Sequence, residues 1–412
     1  MNRLREKIEQ EIRDRGPIPF SRYMELCLYD PENGYYSRNA EQFGKAGDFY
    51  TSSDVHAVFG RLLARQFDEM WRALGSPAKL DLVELGPGRG LFAQDVLDWS
   101  EKKFPAFFHV LRYVLIESSP ALRERISETL ARHLESGKAD LAAINSNNIG
   151  EPPAAERRKN VTYDASRGSA ADHEQAPEGR KKTLAGPDIP SIIFANEFFD
   201  SLPVEILSAE GSLRIDMSEG RFNEVWAKPS PEELEFLDRY SVHPEPHERI
   251  EAALAAQRFM DRIAANIQRG FFIAIDYGYT RAEQLAGRHR GTLKALRQHS
   301  LSANPYEAPG EQDITADVNF TALAAAAERK GMETHKLVTQ SQFLMGIGEA
   351  NQFADAFEEC RLPQERAKVA LQLKHLVTPA GMGESFQVLV ASNGIERGKV
   401  SEFTGLTFGR RS

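Results

Sequence analysis

The segment at residues 84–90, ELGPGRG, limits the folds open to this chain more than any other part of the sequence. The apolar run Leu80–Leu85 predicts a buried strand before the turn, and the residues after the turn predict a helix through about residue 102. Three alternating glycines allow the backbone to turn sharply and a ligand to approach it closely, because glycine has no Cβ. The helix adds unsatisfied N–H groups and the positive end of its dipole. The segment therefore predicts a strand, a ligand-binding turn and a helix.

Two well-known phosphate-binding motifs do not fit this turn. A dinucleotide fingerprint has glycine where this chain has Leu91, and a P-loop would continue with Gly-Lys and then serine or threonine. The remaining pattern, an acidic residue followed by alternating glycines, resembles motif I of class I S-adenosyl-L-methionine-dependent methyltransferases. The cofactor contacts that this resemblance implies are Glu84, Gly86, Pro87, Gly88 and Gly90. The alternative is a tight βα turn without a ligand.

Further apolar runs predict the other strands of the sheet. They lie at 111–117, 191–195, 271–276, 334–339 and 386–392. Helical stretches separate these runs, and strands that alternate with helices are typical of a mostly parallel, doubly wound sheet. The predicted fold class is therefore α/β, with a Rossmann-like doubly wound sheet of the class I methyltransferase type.

A carboxylate follows the predicted second strand. Glu117 lies where a doubly wound fold brings ligand contacts to the carboxyl ends of its strands. A carboxylate at this point can accept two hydrogen bonds from the vicinal hydroxyl groups of a ribose. The alternative is a solvated acid at the start of a helix, where acidic residues are favoured.

Polar residues also follow the predicted third strand, within the segment 196–200, NEFFD. Two carboxylates and a carboxamide beside two aromatic rings are costly to bury for structural reasons alone. A guanidinium acceptor would need carboxylates that grip it in a bidentate manner and hold one nitrogen towards a methyl donor. We predict Glu197 and Asp200 for this catalytic role, and Asn196 as a cofactor contact. The alternative is that one or both acids cap the following helix.

Short motifs are dispersed over nearly the whole chain. They are Tyr29-Asp30-Pro31, Gly34-Tyr35-Tyr36, Gly47-Asp48-Phe49, Thr51-Ser52, the glycine turn with Asp95, residues 196–204, Asp276-Tyr277-Gly278, Gly291-Thr292, Gln312-Asp313-Ile314-Thr315, Gln340 with Phe343-Leu344, and Met382-Gly383. In this order they resemble the MidA family, whose mitochondrial members assist the assembly of respiratory complex I. The resemblance implies a protein arginine methyltransferase, with symmetric dimethylation of a complex I subunit as the family's activity. It also implies that Asp48 and Thr51 contact the cofactor.

The length of 412 residues suits two domains or one large domain with insertions. We predict an N-terminal helical and cofactor-covering segment at 1–75, a methyltransferase domain at 76–400 and a C-terminal tail at 401–412. The first segment opens with a helix, on which Leu4, Ile8 and Ile12 form an apolar stripe. Polar and charged residues at 145–187 and 230–268 predict two insertions in the domain.

The charge balance excludes several classes of partner. The chain has 51 basic and 60 acidic residues, whereas nucleic-acid and anionic-membrane binders need a basic surface. Its apolar runs are far shorter than the ~20 residues of a membrane-spanning helix. Its two cysteines, Cys27 and Cys360, are far apart, so we expect neither a disulfide framework nor a metal site. Acidic residues near the N-terminus are unlike an organellar transit peptide, and together these features predict a cytoplasmic protein.

Three functions are compatible with this pattern. The leading one is an enzyme that transfers methyl groups from S-adenosyl-L-methionine to an exposed arginine of a protein client. The second is an assembly chaperone, with or without the cofactor, whose carboxylates grip a basic loop of its client. The third is a small-molecule methyltransferase, because a fold alone does not determine the substrate. The sequence leaves the client and the oligomeric state open.

Overall fold

The computed structural model describes residues 3–37, 57–142, 189–297, 300–302 and 304–408. In these ranges the strands are β1 (Ile18–Pro19), β2 (Leu80–Leu85), β3 (Leu111–Ile116), β4 (Ala139–Ala142), β5 (Ser191–Asn196), β6 (Glu205–Ser208), β7 (Gly211–Ser218), β8 (Arg221–Ala227), β9 (Ile250–Ala252), β10 (Gly270–Tyr279), β11 (Lys294–Arg297), β12 (Ser300–Leu301), β13 (Asp313–Thr315), β14 (Val318–Asn319), β15 (Glu333–Thr334), β16 (Val338–Thr339) and β17 (Phe386–Asn393). The α-helices are α1 (Arg3–Arg15), α2 (Phe20–Tyr29), α3 (Ala57–Ala73), α4 (Leu91–Lys103), α5 (Pro105–Val110), α6 (Pro120–Thr129), α7 (Ala131–Glu135), α8 (Pro231–Tyr240), α9 (Leu254–Asn266), α10 (Arg281–Leu285), α11 (Phe320–Arg329), α12 (Gln340–Glu349), α13 (Ala354–Phe357), α14 (Pro363–Val377) and α15 (Arg397–Ser401).

The main sheet has the order β15-β17-β10-β5-β2-β3-β4. Strands β4, β3, β2, β5 and β10 are parallel, and β17 runs antiparallel to β10. The chain proceeds from β2 outwards to β4 and then returns to β5 on the other side of β2. The predicted doubly wound sheet is thus confirmed, and its direction of winding reverses between β2 and β5. Such a reversal opens a crevice at the carboxyl ends of the two strands. The predicted strand at 334–339 is instead two short strands, β15 and β16.

Helices cover both faces of the main sheet. On one face, α3 and α4 contribute Phe67 and Phe92, and the ring of Phe92 stacks on that of Phe194 in β5 with a centroid distance of 4.7 Å. On the other face, Phe259 and Met260 of α9 pack in the same cluster as the apolar side chains of β5 and β10. All six residues of β2 are buried, including the acidic Asp81 and Glu84, so both faces of this strand are covered.

A second, antiparallel sheet has the strand order β8-β7-β6-β9. The two-residue strand β1 also pairs with β7, at Arg214 and Ile215. The sheet packs against α1 and α2, and the predicted stripe of Leu4, Ile8 and Ile12 is buried in this cluster. This sheet was not predicted, because β8 is only half-buried and carries charged residues. This layer brings the N-terminal helices to the carboxyl edge of the main sheet.

The predicted insertions and tail differ in how far the structure describes them. All of 145–187 falls outside the described residues, whereas 230–268 contains α8, β9 and α9. In the predicted tail, Thr404 donates a hydrogen bond of 2.9 Å from Oγ1 to Glu69 in α3, and Leu406 is buried. Among the helices in the described ranges, none combines the length and apolar character that crossing a bilayer requires.

Candidate active site

A cavity of about 340 Å³ opens at the carboxyl ends of β2, β3 and β5. Residues 86–89 of the glycine turn form its floor, residues 116–120 form one wall, and residues 196–198 with 200–202 form another. Residues 29, 31 and 35–37 of the N-terminal segment also line the cavity. The cavity therefore occupies the crevice that the reversal between β2 and β5 creates, and its volume is in the range of small-molecule sites.

The three glycines of the turn have left-handed backbones, with φ of +64° at Gly86, +56° at Gly88 and +76° at Gly90. Their surroundings differ, however. A Cβ on Gly86 would lie 2.9 Å from the ring of Phe198, whereas a Cβ on Gly88 would meet no atom within 4 Å. Since Gly88 also lines the cavity, its missing side chain leaves space for a ligand.

Gly90 lies between two cavity-lining residues, Arg89 and Leu91, at the start of α4. It is not among the described residues that line the cavity, and a Cβ there would lie 3.5 Å from Ile126 of α6. Gly90 forms the N-cap of α4, where its left-handed backbone favours glycine. A pattern of alternating glycines does not distinguish a residue that faces a ligand from one that faces a helix.

Two buried carboxyl groups lie beside the turn. Glu84 accepts a hydrogen bond of 2.8 Å from the hydroxyl of Tyr113, and burial raises the pKa of Glu84 to about 8. Glu117 accepts a hydrogen bond of 2.8 Å from the backbone N–H of Ser119, and burial raises its pKa to about 7. Both therefore hold part of their protons near neutral pH, and a cation or a hydroxyl donor in the cavity would favour their ionised forms.

Asn196 and Glu197 leave the end of β5 towards the cavity. Asn196 donates a hydrogen bond of 3.1 Å from Nδ2 to Oε1 of Glu197, and its Oδ1 is buried with no partner within the described ranges. Glu197 has a φ of +49°, a left-handed conformation that non-glycine residues adopt infrequently. Its backbone N–H donates to the carbonyl of Ile275 at 2.9 Å, which fixes the turn. Such strain is often found at functional sites.

One carboxylate oxygen of Asp276 holds the loop that carries the predicted catalytic acids. Oδ2 of this residue accepts backbone N–H groups from Phe198 at 3.1 Å, Phe199 at 2.9 Å and Asp200 at 3.3 Å. Burial, followed by the charges of Asp200 and Glu197, raises the pKa of Asp276. Asp276 thus organises the loop, and Asp200 itself lies buried on the cavity wall, where burial raises its pKa to about 7.

Replacing Asp276 with alanine should destabilise the protein. The substitution leaves three N–H donors, two of them buried, without their acceptor. Each unsatisfied buried donor costs about 1–3 kcal/mol, although water can compensate in part. We expect the free energy of unfolding, measured by urea denaturation, to fall by about 3 kcal/mol. Asp140→Ala, which changes an acid that is 63% exposed on the same sheet, is the matched control. An equal effect in both variants would contradict the role of Asp276.

The N-terminal wall brings tyrosines to the cavity. Tyr29 donates from its hydroxyl to the carbonyl of Ser201 at 3.0 Å, and Tyr36 donates to Oδ1 of Asp313 at 3.0 Å. Asp313 begins β13, is only 2% exposed and lines the cavity. No role was predicted for these three residues, although they lie in motifs that carry the family resemblance. They are far from the glycine turn in sequence, although they line the same cavity.

The cavity is strongly acidic. Arg89 is the one lysine or arginine among its described lining residues, whereas five carboxylates line it, namely Glu84, Glu117, Glu197, Asp200 and Asp313. Within the described parts of the chain, no group of three or more potential ligands is arranged to hold a metal ion. The acidic lining would favour a positively charged group in the cavity.

The structure brings most of the predicted site residues to this one cavity. They are Glu84, Gly86, Pro87, Gly88, Glu117, Asn196, Glu197 and Asp200. Asp48 and Thr51 lie outside the described residues.

Comparisons with known proteins agree with this geometry. A family model described as S-adenosyl-L-methionine-dependent methyltransferase matches residues 62–338. The chain is 30% identical to a mitochondrial protein from Drosophila melanogaster named protein arginine methyltransferase NDUFAF7 homolog, over 95% of this chain and 85% of that protein. It is 28% identical to the mitochondrial protein arginine methyltransferase NDUFAF7 of Homo sapiens, over 91% of this chain and 80% of the human protein.

A solved structure extends the comparison. It is a candidate methyl transferase from Burkholderia thailandensis, crystallised with S-adenosyl-homocysteine. It is 25% identical to this chain and superimposes with a TM-score of 0.74 over 96% of this chain and 92% of that one.

Proposed function

Since the chain belongs to a family of S-adenosyl-L-methionine-dependent methyltransferases, we propose that it methylates arginine side chains of a protein client. The observation that carries the proposal is the acidic lining of the cavity. Five acidic residues line it, compared with one arginine, Arg89, in the glycine turn. The cofactor carries a methyl group on a sulfonium cation and supplies that group to a nucleophile. A guanidinium acceptor is a second cation, and carboxylates bind both.

The cavity residues fit S-adenosyl-L-methionine. The open space at Gly88 is where an added Cβ would intrude on a bound molecule. Oδ1 of Asn196 is a buried acceptor without a partner among the described residues, and an ammonium or hydroxyl donor of the cofactor would satisfy it. Glu117 lies at the end of β3, where a carboxylate can accept the hydroxyl groups of the ribose. These three residues, with Glu84, Gly86 and Pro87, are the proposed cofactor contacts.

Glu197 and Asp200 are the proposed acceptor-binding residues. Both line the cavity on the loop that Asp276 holds, so their position is fixed before an acceptor enters. Pre-organised carboxylates orient a guanidinium and direct one nitrogen, which is the main task of an enzyme in methyl transfer. The nitrogen that gains the methyl group loses a proton, and the carboxylate of Asp200, whose pKa burial raises to about 7, can accept it.

The client and the compartment are proposed from the relatives. The curated relatives are named protein arginine methyltransferases, which favours a protein acceptor over a small molecule. The family resemblance further suggests a respiratory complex I subunit and symmetric dimethylation. These relatives are also named mitochondrial, whereas the N-terminal sequence predicts a cytoplasmic protein. The cytoplasmic location therefore stays a prediction.

Transfer of labelled methyl groups tests the proposed function. The purified protein is incubated with S-adenosyl-L-methionine that carries a tritiated methyl group and with a lysate from cells that lack the protein. We expect label in a small number of proteins and, after acid hydrolysis, in methylated arginine. Label in lysine or in small molecules would contradict an arginine acceptor. Client capture without any incorporation would favour the assembly chaperone instead.

A further inference from the structure

Two buried acids from distant parts of the chain line the same cavity. Asp200 is 5% exposed and Asp313 is 2% exposed, and both line the cavity. The backbone N–H of Ala316, directly after β13, donates to the carbonyl of Asp200 at 2.9 Å. This bond ties the strand that carries Asp313 to the loop that carries Asp200, so the distance between the two acids is set by the fold.

Two tyrosines from the N-terminal segment cover these acids. The ring centroids of Tyr29 and Tyr36 lie 5.5 Å apart, and both residues line the cavity. Burial, and then the charges of Asp313 and Asp200, raise the pKa of the Tyr36 hydroxyl. The same two charges, after burial, act in the same direction on the pKa of Tyr29. Each ring is therefore close to both carboxylates.

We propose that Asp313 is a third acceptor-binding carboxylate, in addition to Glu197 and Asp200. Asp200, Asp313, Tyr29 and Tyr36 form a subsite selective for a guanidinium group. The inference rests on the proposed function, because it assigns the part of the same cavity that receives the arginine. Two carboxylates can hold a planar guanidinium on different edges, and aromatic rings bind its flat face. A lysine ammonium is a compact, strongly hydrated charge and gains less from such a slot.

Tyr36 has a defined part in this subsite. Its hydroxyl donates to Oδ1 of Asp313 at 3.0 Å, which fixes the orientation of that carboxylate towards the cavity. Tyr29 acts on the backbone next to Asp200, because its hydroxyl donates to the carbonyl of Ser201. Both tyrosines are thus positioning residues as well as walls, and the N-terminal segment takes part in acceptor recognition.

A binding experiment separates this role from turnover. The protein is saturated with S-adenosyl-homocysteine and titrated with acetyl-Gly-Arg-Gly-amide or acetyl-Gly-Lys-Gly-amide, and binding is followed by NMR of the peptide. We expect the wild type to bind the arginine peptide at least tenfold more tightly than the lysine peptide. Asp313→Asn should weaken binding of the arginine peptide at least about tenfold, the typical loss of one charged hydrogen bond. It should leave the affinity for S-adenosyl-homocysteine, measured by calorimetry, within twofold.

Two further variants complete the test. Glu311→Gln changes an acid two residues away that pairs with Arg297 at 2.6 Å, and it should bind both peptides as the wild type does. Tyr36→Phe, which keeps the ring and removes the hydroxyl, should weaken the arginine peptide less than Asp313→Asn does. Wild-type affinity in Asp313→Asn would overturn the subsite while leaving the proposed function intact. If the wild type does not prefer the arginine peptide, both the subsite and the proposed function are overturned. If it prefers the arginine peptide but transfers no methyl group, the subsite is supported and only the proposed methyl transfer is overturned.

Discussion

Replacing Gly88 with valine should abolish the binding of S-adenosyl-L-methionine while the chain remains folded. Gly88 has a φ of +56°, and a Cβ at this residue would point into open space on the floor of the cavity. A valine side chain would fill the space proposed for the cofactor, and the left-handed backbone would add about 1–3 kcal/mol of strain. We expect the dissociation constant to rise at least about 100-fold, which corresponds to about 2.8 kcal/mol.

A second glycine provides a matched control for the strain. Gly137 has a φ of +69°, is exposed and lies outside the cavity, and a Cβ added to it would meet no atom within 4 Å. Gly137→Val should therefore carry a similar backbone cost and retain cofactor binding. Both variants are compared by calorimetry with S-adenosyl-L-methionine and by thermal unfolding. Wild-type affinity in Gly88→Val, or an equal loss of affinity in both variants, would remove the glycine turn from the cofactor site.

The main sheet and the glycine turn were predictable because their signals are local. A strand that is covered on both faces is rich in apolar residues, and β2, β3, β5, β10 and β17 all are. The rule that ligands bind at carboxyl strand ends then placed Glu117, Asn196 and Glu197 near the turn. The matches to the methyltransferase family and its solved structure confirm the predicted family, fold and cofactor.

The cavity residues from the N-terminal segment and from β13 were not predictable in this way. Asp313 follows the glycine turn by more than 200 residues and Tyr36 precedes it, and the second sheet and β13 bring both residues to the main sheet. Their sequence neighbours show no periodicity that indicates a cavity wall. Asp276 ends a buried strand, and its task of accepting three backbone N–H groups depends on where the loop at 198–200 folds. Residues of this kind are found only when the tertiary contacts are known.

The acidity of the cavity has an energetic consequence. Carboxyl groups that are buried together resist ionisation, and burial accordingly raises the pKa of Glu84 to about 8 and of Glu117 and Asp200 to about 7. A cation that enters the cavity reverses this effect, since it favours the charged carboxylates. The carboxyl groups that are costly to ionise in the empty cavity are therefore the ones whose charged forms a sulfonium or a guanidinium would stabilise. Their ionisation is thus coupled to binding of the cation.

Conservative replacement of the two proposed acceptor-binding acids should remove methyl transfer and spare the cofactor. Glu197→Gln and Asp200→Asn keep the shape of each side chain but replace a carboxylate by a carboxamide, which binds a guanidinium weakly and accepts no proton. A pre-organised group that acts on the developing charge typically contributes about 10²–10³-fold to the rate. We expect kcat/KM for an arginine acceptor to fall by about this factor, with an unchanged dissociation constant for S-adenosyl-homocysteine.

The pH dependence of the same reaction identifies the contribution of Asp200. Because burial raises the pKa of this carboxyl group to about 7, its charged form increases as the pH rises from 6 to 8, and kcat/KM should rise with it. Asp200→Asn should flatten this rise, whereas Asp238→Asn, which changes an acid that is 65% exposed, should keep both the rate and the profile. An unaltered profile in Asp200→Asn would assign the titration to another group, such as Glu117. Full activity of both Glu197→Gln and Asp200→Asn would show that the loop at the end of β5 does not hold the acceptor.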